Sequence, residues 1–203
     1  MPYFIAQHFW PGVSVWVVLF ISDFTLTLTC ARLYRAGVKQ KIVFEGSYEL
    51  TPFFQRDIDS LRKISPRFFL VLGLVPAALF IIWELAVPVL PEAYFFLLGA
   101  FILSQLAIHT RHLRNLFIFR NAATEAVSGR IQYARRLSLR GSAFDLFSFA
   151  ALYAVLVAFT QSWFIAGGVF GCMNIGFKHL RLASKQKSAE IAEPAKAAAT
   201  TSH

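Results

Sequence analysis

Lysine and arginine are missing from three long stretches of this 203-residue chain: none occurs in residues 1–31, 68–110 or 141–177. A water-facing domain is roughly a quarter charged and spreads its cations widely, so gaps of this length exclude an ordinary soluble fold. Only 15% of the residues are charged, 57% are hydrophobic, and the mean hydropathy is +0.55. Cysteine is scarce as well. Cys30 and Cys172 both lie in apolar runs, without a Cys or His at zinc-finger spacing, which excludes the disulfide framework of a small secreted domain. The N-terminus has no basic n-region and no A-x-A cleavage site, so the first apolar run is expected to stay in the mature protein. There is no Walker-type phosphate loop, G-x-G-x-x-G, G-x-S-x-G, C-x-x-C or C-x-x-C-H. Nucleotide hydrolysis, serine-hydrolase chemistry and c-type haem attachment are therefore set aside, and no cofactor is expected.

What fills the gaps is apolar and aromatic, with 22 phenylalanines among the residues. A helix needs about 20 residues to cross hydrocarbon. The sequence predicts an all-α integral membrane protein with five transmembrane helices, at about 11–31, 68–90, 93–110, 144–161 and 163–178. The first stands alone, opened by Pro11. The others form two helical hairpins, turned at Pro88, Pro91 and Glu92 and at Thr160, Gln161 and Ser162. Residues 1–182 form one transmembrane domain, and the Ala-, Lys- and Ser-rich tail, 183–203, is expected to be disordered.

All 20 lysines and arginines fall in the 32–67 connection, the 111–142 connection or the tail from Lys178. Five spans put these three regions on one side of the bilayer, and the positive-inside rule makes that side the cytoplasm. The expected location is a cytoplasmic membrane of prokaryotic type, with the N-terminus outside and the C-terminus inside. The connections are expected to carry short amphipathic helices. One lies between Pro52 and Pro66, with Phe53, Phe54, Ile58 and Leu61 on its apolar face and Arg56, Asp57, Asp59, Arg62 and Lys63 on the other. A second is expected at 121–138, with Val127, Ile131 and Ala134 on one side.

The net charge of +9 invites a nucleic-acid reading. Because the cations flank apolar spans, anionic lipid headgroups are the nearer partner, and no nucleic acid is expected. Arg111, Arg114, Arg130, Arg135, Arg136, Arg140 and Arg181 are the candidate headgroup contacts. At an offset of 67 residues, Arg111-His112-Leu113-Arg114 matches Lys178-His179-Leu180-Arg181, and Ile108 matches Ile175. Such copies would run parallel. Gly167, Gly168 and Gly171 mark a packing face on the last span.

Chemistry, where it exists, should lie at polar residues that hydrocarbon penalises. Asp23 sits near the middle of the first span with Thr27 and Cys30 on the same side. A carboxylate there costs a few kcal/mol unless it is protonated, paired or wet, so it should face the bundle. Counting from the span ends puts Gln105 and Asn174 at nearly the same depth, as parts of one polar layer that either holds the bundle together or binds an ion. Glu84, after Trp83, is an outer cation contact or a carboxylate reaching the interface. His109 and His112, one turn apart, could face one metal ion with Asp145, Glu49 or Asp23 as a third ligand, but the H-E-x-x-H base is missing. Asp145 otherwise complements a helix N-terminus, and Ser142 is a candidate cap.

Three functions remain open. The first is non-enzymatic: ion or small-solute transport, or an accessory subunit, around Asp23. With so few spans, transport implies a homo-oligomer or a partner membrane subunit. The second is a membrane-embedded, metal-dependent lipid- or peptide-modifying enzyme using His109 and His112. The third is a lipid-binding scaffold.

Overall fold

The apolar runs become long helices whose ends are set by local chemistry, and the computed structural model describes them over residues 8–123 and 129–200. α1 (Phe9–Leu33) passes into a π-helical turn (Tyr34–Val38), a last turn (Lys39–Lys41) and strand β1 (Ile42–Phe44). Then follow α2 (Pro52–Asp59), α3 (Pro66–Ala86), α4 (Pro91–Ala123), β2 (Ile131–Tyr133), α5 (Arg135–Thr160) and α6 (Trp163–Thr200). Three of these helices begin on a proline, whose missing N–H costs nothing in a first turn. Ser65 caps α3 by accepting the Phe68 N–H at 3.1 Å, and its own hydroxyl donates to Asp57 at 2.6 Å.

Among the described residues four helices are long and apolar enough to cross a membrane: α1 with its extension to Lys41, α3, α4 and α5. α6 is not among them, because glycines and Asn174 dilute its apolar stretch before Lys178 ends it. By backbone it continues to Thr200, through Ala-, Glu- and Lys-rich sequence of high helix propensity, where composition alone suggests a disordered tail.

α4 is the central helix. α1 packs along one side of it and α6 along another; α5 packs on α6, and α3 lies against α1 and α4. α1 runs in the same direction as α4, since Gly12 meets Leu98, Ser22 meets His109, and Lys41 reaches the Ala122 carbonyl at 3.0 Å. α6 is parallel to α4 too, with backbones almost touching: a Cβ at Gly167 would collide with the Phe96 carbonyl oxygen, and one at Gly99 with that of Phe164. Gly168 and Gly171 face Leu103 and Ala100, so the predicted small-residue face is the α4–α6 seam. The 67-residue match therefore joins neighbours at equal depth.

One half of the bundle is filled by apolar and aromatic side chains, including Val13, Trp16, Phe20, Leu79, Tyr94 and Leu98. Trp16 stacks on Phe20, and Phe20 on Phe68, at centroid distances of 5.0 and 5.1 Å. The other, basic end is closed by a small platform. There β1 and β2 pair in parallel, Ile42 with Ile131 and Phe44 with Tyr133, beside a cluster of Tyr34, Val38 and Phe119.

Two expectations are corrected here. The amphipathic helix at 121–138 does not form. α4 extends to Ala123, Gly129 adopts φ 83°, Ile131–Tyr133 is a strand, and α5 already starts at Arg135. Its β-branched and aromatic residues meet the waiting edge of β1, which outweighs a weak helical period; Val127 lies outside the described residues. Between the prolines α2 does form, but Asp57 belongs to its inner side, 3% exposed, where it receives Ser65.

Candidate functional site

Helical spacing puts Ser22, Asp23, Thr27 and Cys30 on the side of α1 that faces α4, and Gln105, His109 and His112 on the answering side of α4. One oxygen of Asp23 lies 3.4 Å from Nε2 of His112 and 4.0 Å from Nδ1 of His109. The Gln105 amide reaches the same carboxylate. Ser22 Oγ is 3.0 Å from Nε2 of His109, and Thr27 Oγ1 is 3.5 Å from Nε2 of His112. Cys30 donates weakly to the His112 carbonyl at 3.8 Å.

The cluster is buried and incompletely satisfied. Asp23 Oδ1, His109 Nδ1 and His112 Nδ1 are all shielded from solvent and lack a hydrogen-bond partner, and His112 as a whole is 5% exposed. Buried polar atoms are normally paired, so three atoms without a hydrogen bond in one cluster set it apart from the rest of the bundle.

A cavity of ≈ 230 Å³ opens on this cluster. Phe20, Phe24, Phe54 and Ile58 form its apolar wall, and Asp23, Thr27, Glu49, Arg111, His112 and His179 its polar one. A second cavity of ≈ 400 Å³ lies on the other side of α4 and shares Glu49, Arg111 and His112 with the first. Arg111 spans the two: its guanidinium donates to Ser142 on α5, and the Ser142 hydroxyl also meets Nδ1 of His179 at 2.9 Å. His112 and His179, equivalent in the 67-residue match, thus meet at one cavity.

Glu49 comes from the loop before α2, where its carboxylate accepts the Thr51 N–H at 2.7 Å. Burial pushes its pKa above the ordinary value of 4.5, against the opposing pull of that hydrogen bond and of Arg111 and Arg135.

Of the residues singled out from the sequence, Asp23, Thr27, Gln105, His109 and His112 come together. Asn174 and Glu84 do not; both are exposed, Asn174 on α6 and Glu84 near the end of α3. Asp145 is taken up by Arg114 at 3.0 Å, which removes it as a third ligand for the two histidines. Among the described residues no group of three or more His, Cys, Asp or Glu side chains is arranged to hold a metal ion. The arginines divide. Arg111 points inward, Arg135 donates to the carbonyls of Ser47 and Glu49, and Arg136 has its Nε buried without a partner. Arg130, Arg140 and Arg181 are exposed, and so is Arg114 beside Asp145. Ser142 is no helix cap but the acceptor for Arg111 inside α5.

Sequence reasoning missed Ser22, the inward turn of Arg111, and Ser142 and His179 as its companions. The repeated basic-His pair was the available signal. Compared with protein-family models, curated proteins and solved structures, the chain matches none.

Proposed function

We propose that this is a five-span membrane protein that moves a proton or a small ion, and that the Asp23, His109 and His112 cluster is its intramembrane binding site. In this reading α6 is the fifth span, the helices α3–α4 and α5–α6 are the two hairpins, and the basic end faces the cytoplasm. The observation that carries it is a carboxylate set against two imidazoles, with a buried atom on each of the three groups that makes no hydrogen bond. In hydrocarbon such a group is expensive to keep unless it is used. Imidazole is the side chain that holds and releases protons near neutral pH, and chains of intramembrane Asp, Glu and His form proton relays.

Access is one-sided in this conformation. Both cavities lie toward the basic end, whereas the opposite half is packed with Val13, Trp16, Leu79 and Leu98. That arrangement suits a carrier loaded from the cytoplasm better than an open channel. The apolar outer surfaces, such as Leu74 and Ile81 on α3 and Phe159 on α5, leave room for lipid or for a second copy of the chain.

The test is proton flux into liposomes containing the purified protein, followed with an entrapped pH-sensitive dye. Wild type is expected to conduct above protein-free vesicles, and Asp23→Asn, which keeps size and hydrogen bonding, to fall to the background. A wild type indistinguishable from empty vesicles, or an unchanged Asp23→Asn, overturns the reading.

A further inference from the structure

The larger cavity differs from the Asp23 site in shape and lining. It lies between α4, α5 and the strand pair, at the level of the basic girdle, with a volume of ≈ 400 Å³. One wall is aromatic, from Phe44, Tyr48, Phe119 and Tyr133. Ile118 and Leu137, both exposed, line it too, so its apolar lining continues onto the outer surface of the bundle.

Against these apolar walls stand two guanidinium groups one turn apart. Arg111 has five N–H donors and its hydrogen bond goes to Ser142, leaving donors to spare. Arg114 holds Asp145 at 3.0 and 3.4 Å, a half-exposed rim pair of the kind that contributes little and yields readily to a stronger anion. Two carboxylates, Asp145 and Glu49, also line the space. Asp145 must give up part of Arg114 to a ligand, and Glu49 already accepts the Thr51 N–H. The buried His112, shared with the Asp23 cavity, lines this one as well.

We infer that the cavity between α4, α5 and the strand pair holds the headgroup and first acyl carbons of one anionic membrane phospholipid, with its phosphate on Arg111 and Arg114. A soluble anion would satisfy the guanidinium groups and leave the aromatic wall and the exposed apolar lining of Ile118 and Leu137 without purpose. A neutral lipid would fill the wall but offer Arg111 only its zwitterionic phosphate, masked by choline. The proposal does not rest on the Asp23 reading, since Arg114 and Ser138 line the larger cavity and not the smaller one.

Native mass spectrometry of the full-length protein, released from neutral detergent, decides it. Phosphatidylglycerol, phosphatidylcholine, glycerol 3-phosphate and inorganic phosphate are added in separate arms. One phosphatidylglycerol per chain is expected to stay bound, in preference to all three others. Arg114→Gln should weaken retention about fivefold, the factor equivalent to roughly 1 kcal/mol per basic contact near a membrane surface. Ser138→Trp, which fills the cavity from α5, should abolish it. Equal retention of phosphatidylcholine, equally tight binding of free phosphate, or wild-type retention by Arg114→Gln overturns the proposal. The Arg114→Gln comparison decides even if Ser138→Trp fails to fold.

Discussion

At the scale of single residues, burial decides which polar groups matter. Glu49 is 8% exposed and its carboxyl is held above its ordinary pKa of 4.5 by burial. A group whose folded-state pKa is raised contributes stability that is complete below the unfolded value and is lost as pH rises through the folded one. Thermal unfolding in detergent should therefore show wild type losing stability as pH climbs from the ordinary carboxylate range toward neutrality. Glu49→Gln, which still accepts from Thr51, should flatten that slope and be the more stable protein at neutral pH; parallel curves for the two would contradict this assignment. Asp23, Thr27 and Gln105 were legible in the sequence because hydrocarbon makes any polar residue conspicuous. Glu49 was named only as one of three possible acidic ligands, and its burial was not legible, because a carboxylate in a polar connection looks solvated until the loop is seen lining both cavities. Asn174 misled for another reason: counting from a span's end gives depth, while the direction a residue faces depends on helix rotation.

Among the elements, the α4–α6 seam fixes where His112 and His179 stand, and it depends on backbone proximity. Adding one methyl at Gly167 would drive it into the Phe96 carbonyl, whereas Gly73 on α3 has nothing within 4 Å of an added Cβ. Gly167→Ala should thus lower thermal stability by at least the ~1–3 kcal/mol of an overpacked core. Gly73→Ala should stabilise slightly, by about 0.5–1 kcal/mol from helix propensity. Differential scanning of the two purified variants checks both signs, and a harmless Gly167→Ala would mean that the helices do not approach this closely. The stripe of Gly167, Gly168 and Gly171 was readable as a packing face, but its partner was not, since apolar helices offer many equivalent faces. The strand pair was unreadable from its own residues: Ile131–Tyr133 is short enough to follow either period, and only the distant Ile42–Phe44 selects the extended form.

For the whole molecule, the decisive pattern is the segregation of every lysine and arginine into three regions. Composition and run length were enough to foresee a bundle of long apolar helices, because the lipid penalty acts on whole stretches and not on individual contacts. α6 fits that logic less well than the stretch expected at 163–178. α6 is too dilute to qualify by hydropathy yet packs as closely as any, and its place in the bundle rests on glycines. Under the proposed function the same end of the bundle is basic, cavity-bearing and cytoplasmic, with Asp23 answering to that side alone. Infrared difference spectroscopy on vesicles with uniformly oriented protein, in a Glu49→Gln background that removes the other buried carboxyl of the cavities, measures this directly, by following the carboxylic acid band while pH is changed on one side at a time. The prediction is a band that responds to the pH on the cytoplasmic side, ignores the pH outside, and is absent in Asp23→Asn. A band that follows the outer pH, or one that survives unchanged in Asp23→Asn, would contradict the proposed site.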